Sequence, residues 1–297
     1  MNEDYKNLEI YKYFKESKLH SSKSNIYFNI YNELFSEYRN KKITFVEIGV
    51  KWGGSLLMWK KYFGNEARII GIDLYPETKK LEDYGFEIFI GDQSSETFWK
   101  NFFSKVGKID ILVDDGGHTN ENQIITLNNV INNINDKGLI VIEDTAASYD
   151  KKHFNPSKYS FINYSKHLID DLYGKNEDKF KLDGVFKKNS LNDNIYSIKF
   201  FNSIVAFFID RKKCVEKKNV INRPLDNEPS VIIKKDYINP KWSTESYAKG
   251  FTNKIFIYLS KIFFFLKKID FLREIVRKIK HKLIVIKINK KLKKYFS

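Results

Sequence analysis

Five short apolar runs, separated by stretches with helical periodicity, constrain this chain more than any other feature. They are Thr44–Val50, Arg68–Leu74, Phe86–Asp92, Ile109–Asp114 and Leu139–Glu143. Each is close to continuous in its apolar character, as a strand covered on both faces requires. Between them, Gly54–Phe63, Glu96–Val106 and Glu121–Ile134 read as helices. In the last of these Ile124, Leu127, Ile131 and Ile134 recur at helical spacing. Strand and helix in regular alternation imply a doubly wound sheet. Two further strand patterns, Asn194–Phe201 and Ser203–Asp210, follow one another with almost no gap and suggest a terminal hairpin. The expected fold class is α/β: a mostly parallel seven-stranded sheet with helices on both faces and one antiparallel strand near its closing edge.

The rest of the chain divides around this core. Residues 1–40 carry helical spacing, with Tyr27, Ile30, Tyr31, Leu34 and Phe35 on one face. The main domain runs over 41–215, with a polar, aromatic insertion at 148–190 of the kind that forms lids or substrate loops. Residues 216–250, with Pro224, Pro229 and Pro240, read as a connector, and 251–297 as a basic amphipathic tail. That tail holds fourteen Lys/Arg against Asp270 and Glu274, so it carries +12 of the net +15 and leaves the body close to neutral. The charge map therefore disfavours a nucleic-acid partner spread over the body. Apolar runs such as Ile262–Leu266 alternate with lysines, which suits peripheral contact with an anionic membrane. Packing on the body, or an oligomer contact, is the plainer alternative. No uncharged run reaches the ~18–20 residues of a spanning helix. The single cysteine, Cys214, suits a reducing compartment, and Met1–Glu9 is charged and lacks the apolar core of a signal peptide. The expected location is cytoplasmic, at most peripheral to the inner membrane face.

Two strand ends carry the chemistry. Ile109–Val113 leads into Asp114-Asp115-Gly116-Gly117-His118, and Gly138–Ile142 leads into Glu143-Asp144. Neighbouring parallel strands would bring these carboxylates to the carboxyl edge of the sheet, where open α/β proteins bind ligands. Carboxylates converging there repel one another unless a cation lies between them, and hard oxygen donors suit Mg²⁺ or Mn²⁺. His118 adds the one side chain that titrates near neutral pH. The pattern reads as a metal-assisted acid/base site.

A nucleotide half accompanies it. Val46-Glu47-Ile48-Gly49 followed by Gly53-Gly54-Ser55 is a strand, a glycine-rich turn and a helix start. Such a turn lets a ligand approach the backbone and offers it free N–H groups. Asp73 ends the second strand, placed to accept hydrogen bonds from a ribose diol, and Asp92-Gln93 ends the third, in reach of an adenine edge. The glycine spacing departs from the G-x-G-x-x-G of dinucleotide enzymes, which disfavours a nicotinamide-dependent oxidoreductase.

Taken together, Val46–Gly49, Gly53–Ser55, Gly71-Ile72-Asp73, Gly91-Asp92-Gln93, Asp114–His118 and Ile142-Glu143-Asp144 resemble the class I S-adenosylmethionine-dependent methyltransferases. More narrowly they resemble the metal-dependent macrolide-sugar O-methyltransferases of the mycinamicin and demethylmacrocin type, over roughly Lys42–Tyr149. The resemblance implies a Rossmann-like methyltransferase fold, S-adenosylmethionine and Mg²⁺ (or Mn²⁺) as cofactors, and a sugar-containing acceptor. That sugar would belong to a surface polysaccharide or a glycosylated natural product. It places Glu47 and Gly49 near the methionine moiety, Asp73 at the ribose and Asp92 beside the adenine. Gly53, Ser55, Gln93 and Asp114 complete the expected cofactor-binding set. Asp115, Glu143 and Asp144 would be the metal ligands, and His118, with Asp115, the catalytic pair in which His118 is the general base. A non-catalytic membrane adaptor with a Rossmann-like body is the rival from outside enzymology.

Overall fold

The computed structural model describes residues 3–153, 158–174, 190–215, 220 and 282–296. The chain divides into one unit made of Met1–Lys217 with Lys280–Ser297 and a second over Lys218–Ile279, of which only residue 220 is described. The connector at 216–250, the first part of the tail and the segment from 175 to 189 thus lie outside the described residues, apart from Val220.

All seven expected strands form one sheet. They are β1 (Thr44–Ile48), β2 (Arg68–Asp73), β3 (Glu87–Ile90), β4 (Ile109–Asp114), β5 (Ile134–Ile142), β6 (Ile195–Phe201) and β7 (Ile204–Ile209), in the order β3-β2-β1-β4-β5-β7-β6. β1 through β5 pair in parallel, while β7 runs antiparallel to both β5 and β6. Between β1 and β4 the order reverses direction, so the crevice outside their carboxyl ends is the topological switch point where such sheets hold ligands.

The apolar runs alternate between two cores, one on each face. Phe45, Ile111, Val113, Leu139 and Val141 face one of them. There they meet α1 (Glu9–Lys15), α2 (Tyr27–Phe35) and α3 (Gly54–Phe63), through buried Tyr31, Phe35, Trp59 and Phe63. Val46, Ile48, Leu112, Ile140 and Ile142 face the other. That side is covered by α4 (Glu96–Val106), α5 (Asn120–Val130), α6 (Phe161–Gly174) and a helix over 282–292, designated α7.

One boundary changes, and parts of the insertion and the tail find their places. The third helix was expected to reach Ile134, but α5 stops at Val130 and a short 3-10 turn over Ile131–Asn133 passes directly into β5. Ile131 and Ile134 are fully buried there all the same, so helical spacing and strand entry buried the same side chains. The described part of the insertion includes a helix that packs on the body: α6 buries Phe161, Tyr164 and Leu168 in the second core. The last turns of the tail also belong to the body. Leu292 is completely buried, and Phe296 makes ring contacts with Tyr159, Tyr164 and His167. No described helix is long and apolar enough to cross a membrane.

Candidate active site

The carboxyl ends of β1–β5 open into a cavity of about 630 Å³. Its walls include Gly49, Ser55, Asp73, Asp92 and Gln93 from the expected nucleotide half, and Asp115, His118 and Asp144 from the acidic half. One cavity thus joins the two, at a volume typical of small-molecule sites.

Each wall residue is fixed by its strand end. Asp73 accepts the N–H of Lys51 at 2.8 Å and that of Tyr75 at 3.0 Å, which holds its carboxylate across the glycine turn. Asp92 closes a turn by accepting the N–H of Ser94. Gly49 has φ +84°, and the turn it starts leads to Gly53, which caps α3 in the left-handed region. Lys51, His118 and Asp144 are non-glycine residues with φ of 47°, 54° and 52°, and all three line the cavity. Positive φ costs of order 1–3 kcal/mol for such residues, and it persists where the surroundings over-determine the backbone, commonly at functional sites.

Four expected site residues lie behind the wall instead of on it. Glu47 is fully buried and its oxygens accept from Ser55 Oγ at 2.7 Å, Trp59 Nε1 at 3.1 Å and Lys23 Nζ at 3.4 Å. Asp114 accepts two bonds of 2.9 Å from the Gln93 amide and one of 3.1 Å from the Gly116 N–H. It anchors the loop that carries Asp115 and His118. Gln93 Oε1 in turn accepts the Gly117 N–H, so the Asp114–Gln93 pair shapes the Gly116-Gly117 turn from both sides. Gly53 serves packing, since a Cβ there would lie 2.4 Å from Leu81. Glu143, expected as a metal ligand, is completely buried: Tyr31 Oη donates to Oε1 at 2.6 Å and Lys23 Nζ to Oε2 at 3.0 Å.

Lys23 is the largest addition to the sequence reading. Residues 17–26 cross the carboxyl edge between α1 and α2, tied down by Ser17 Oγ on the Gly54 carbonyl and by the Gly54 N–H on the His20 carbonyl. His20, Ser21 and Ser22 of this strap line the cavity. The Lys23 side chain is 2% exposed and its ammonium reaches Asp115 Oδ2 at 2.7 Å as well as Glu143 and Glu47. The cation expected between converging carboxylates is, on this inner side, a lysine. Burial alone would lower the Lys23 pKa, but Asp115 and Glu143 outweigh it and hold the ammonium well above its ordinary value. One ammonium cannot offset three carboxylates. Burial therefore pushes Glu143 up to about 8 and raises Glu47, against the opposing pull of Lys23. Tyr31 stays a neutral phenol, raised chiefly by burial and then by the Glu143 charge.

Asp115, His118 and Asp144 form the outer group, with one ligand atom from each lying within 4.8 Å of the others. His118 Nε2 lies 3.5 Å from Asp144 Oδ2 and 4.0 Å from Asp115 Oδ1. Its Nδ1 is buried and has no hydrogen-bond partner among the described residues. Asp144 is steadied by the Tyr27 hydroxyl, which donates to Oδ1 at 2.5 Å and accepts the Asp144 N–H. Tyr27 and Tyr31 stand one helical turn apart, and a polar tip on each of two apolar-face residues is the one signal that could have pointed to them. Nothing in Ser21-Ser22-Lys23-Ser24 marks Lys23.

No family model matches the chain. A tetracenomycin rhamnosyl 2'-O-methyltransferase of Streptomyces olivaceus is 29% identical over 153 residues, covering 48% of this chain and 40% of the relative. Demethylmacrocin O-methyltransferase of Streptomyces fradiae is 32% identical over 126 residues, covering 40% of this chain and 31% of its own length. Mycinamicin VI 2''-O-methyltransferase of Micromonospora griseorubida gives the same identity and coverage. The chain thus spans between 31% and 40% of the length of these curated relatives. Among solved structures, the MycE methyltransferase of the mycinamycin pathway, in complex with Mg and SAH, superposes with a TM-score of 0.60 at 23% identity. That match covers 71% of this chain and 55% of MycE. The resemblance read from the strand-end motifs is therefore present in both sequence and fold: the chain is similar to the macrolide-sugar O-methyltransferases and shares their seven-stranded Rossmann-like fold.

Proposed function

We propose that this chain transfers the methyl group of S-adenosylmethionine to a sugar hydroxyl, with help from a divalent cation. The observation that carries the reading is the single cavity that joins Asp73 and Asp92 to Asp115, His118 and Asp144. A nucleoside half and an acid/base half facing one space is what methyl transfer to an alcohol requires. The sugar would be carried by a glycosylated natural product, as the names of the relatives suggest, or by a surface polysaccharide.

In this reading the glycine turn and Asp73 bind the nucleoside, the carboxylate toward the ribose hydroxyls, with Asp92 and Gln93 beside the base. Methyl transfer from a sulfonium is an in-line displacement: the hydroxyl oxygen attacks the methyl carbon and the carbon–sulfur bond breaks toward sulfur. The chain must orient that oxygen and take its proton. His118 takes the proton on Nε2, which opens to the cavity between Asp115 and Asp144, provided the imidazole is neutral. Asp115 and Asp144 fit a divalent cation: both are partly exposed to the cavity, both offer hard oxygens, and each keeps one oxygen turned toward His118. When bound, such a cation acidifies and directs an alcohol oxygen. The Gly116-Gly117 turn, held by Asp114 and Gln93, sets the spacing between Asp115 and His118.

Calorimetric titration with S-adenosylhomocysteine, and separately with NAD, tests the cofactor class. Micromolar binding of the first with none of the second is expected. NAD binding without a response to the homocysteine ligand would point to hydride transfer instead. A chelator should leave S-adenosylhomocysteine affinity largely intact and, in a separate assay with S-adenosylmethionine, stop methyl transfer to a sugar acceptor.

A further inference from the structure

The acidic cluster has two sides that differ in kind. Glu47 and Glu143 are completely buried and neither lines the cavity, whereas the Asp115 and Asp144 side chains are 23% and 46% exposed and both do. Lys23 stands on the inner side. Its ammonium lies between Asp115 Oδ2 and Glu143 Oε2, at 2.7 and 3.0 Å, so the point from which a cation would reach both of these oxygens is already filled. The other Glu143 oxygen is held by Tyr31. Asp115 bridges the two sides, since Oδ2 meets Lys23 while Oδ1 faces His118 and the cavity.

We propose that Lys23 is a positioning residue: its ammonium fills the inner side of the cluster, keeps Glu143 out of the metal-ligand set, and turns Asp115 Oδ1 outward so that Asp115 and Asp144 alone supply the carboxylates for the divalent cation. The inference rests on the metal-assisted reading above and narrows it. Mg²⁺ is commonly held by one or two carboxylates, with waters and substrate oxygens completing the shell, so a two-carboxylate site is chemically sufficient. It also leaves coordination positions on the cavity side for an acceptor's own oxygens. The strap that delivers Lys23 is the same one that supplies His20, Ser21 and Ser22 to the cavity wall, so cofactor wall and acid cluster share one anchored segment.

Mn²⁺ binding to the full chain, followed by electron paramagnetic resonance with S-adenosylhomocysteine affinity as control, tests this. Glu143→Gln should cost Mn²⁺ affinity about tenfold at most, because the residue supports and does not ligate, while Asp144→Asn, which removes a ligand, should lose about 100-fold or more. Lys23→Met should lower Mn²⁺ affinity by about tenfold with nucleoside affinity unchanged, and Lys23→Arg should recover part of it. Should Lys23→Met fail to fold, the contrast between Glu143→Gln and Asp144→Asn decides alone. Loss of Mn²⁺ in Glu143→Gln equal to that in Asp144→Asn overturns the inference, as does tighter Mn²⁺ binding by Lys23→Met, which would make Lys23 a competitor for the metal. A wild-type protein that binds S-adenosylhomocysteine but no Mn²⁺ removes the metal reading itself, and this inference with it.

Discussion

At Gly49 the backbone has φ +84°, and a Cβ there would sit 2.2 Å from the carbonyl oxygen of Asp115. The residue lets the end of β1 meet the end of β4, which brings the nucleotide turn and the acidic loop to one cavity. Gly49→Ala should therefore cost about 3 kcal/mol or more, combining left-handed strain with a backbone clash. Urea unfolding would measure it, and wild-type stability in the variant would refute the close approach. Tyr27 makes a subtler case. Its hydroxyl fixes Asp144, whose own backbone is left-handed, yet its ring packs on the first core. Tyr27→Phe keeps the ring, so stability should fall by only about 1 kcal/mol. Divalent-metal affinity should fall by about tenfold, because the carboxylate loses the partner that orients it. Equal metal binding in the two proteins would show that Asp144 needs no such support.

Among elements, what could be read from the chain and what could not follow from how far each residue's partners lie along it. The strands were legible because burial on both faces makes a parallel strand apolar along its whole length, as Ile111, Leu112 and Val113 show with no exposure at all. Asp115, His118 and Asp144 were legible because a strand end is a fixed place, and parallel neighbours must end at the same edge. Lys23 was not. Its partners Glu47, Asp115 and Glu143 are 24, 92 and 120 positions away, and no local pattern records contacts that only the folded strap creates. The same blindness hid that Glu47 and Asp114 lie behind the cavity wall, because a carboxylate at a strand end looks alike whether it faces a ligand or a buried Gln93 amide. Arg211 is another long-range device. It follows β7 and donates to the Ile134 and Ile131 carbonyls, to Asn194 and to Asp136, tying the hairpin to the entry of β5. The Arg211 bond holds the Asp136 carboxyl below its ordinary value, so this pair adds stability above the usual carboxylate range and loses it as the pH falls through the lowered pKa. Arg211→Ala should lower the urea midpoint at pH 7, and the gap from wild type should narrow toward pH 3. A gap that is constant with pH would leave only the bonds to the carbonyls and Asn194.

For the molecule as a whole, the open question is how the +12 of the last 47 residues relates to the near-neutral body. The described end of that tail answers for itself. Leu292 is completely buried against the second core, beside partly buried Ile288, Tyr295 and Phe296, while Lys291 pairs with Glu121 and Lys294 with Glu96. Leu283 and Ile286 on the same helix remain 60% and 54% exposed. Two forces could hold this helix to the body, and their sizes differ. Burying a leucine fully is worth enough that its truncation in a core costs about 2–5 kcal/mol. Surface ion pairs contribute about 0–1 kcal/mol each and weaken with salt. The helix should therefore be held by its apolar seam, with the lysines setting solubility and register. Leu292→Ala should lower stability by about 2–5 kcal/mol, independent of ionic strength, whereas Lys291→Gln with Lys294→Gln should cost no more than about 1–2 kcal/mol, less in high salt. Chemical denaturation at low and high ionic strength separates the two. A Leu292→Ala protein as stable as wild type would mean that the end of the tail rests on the body without belonging to its core.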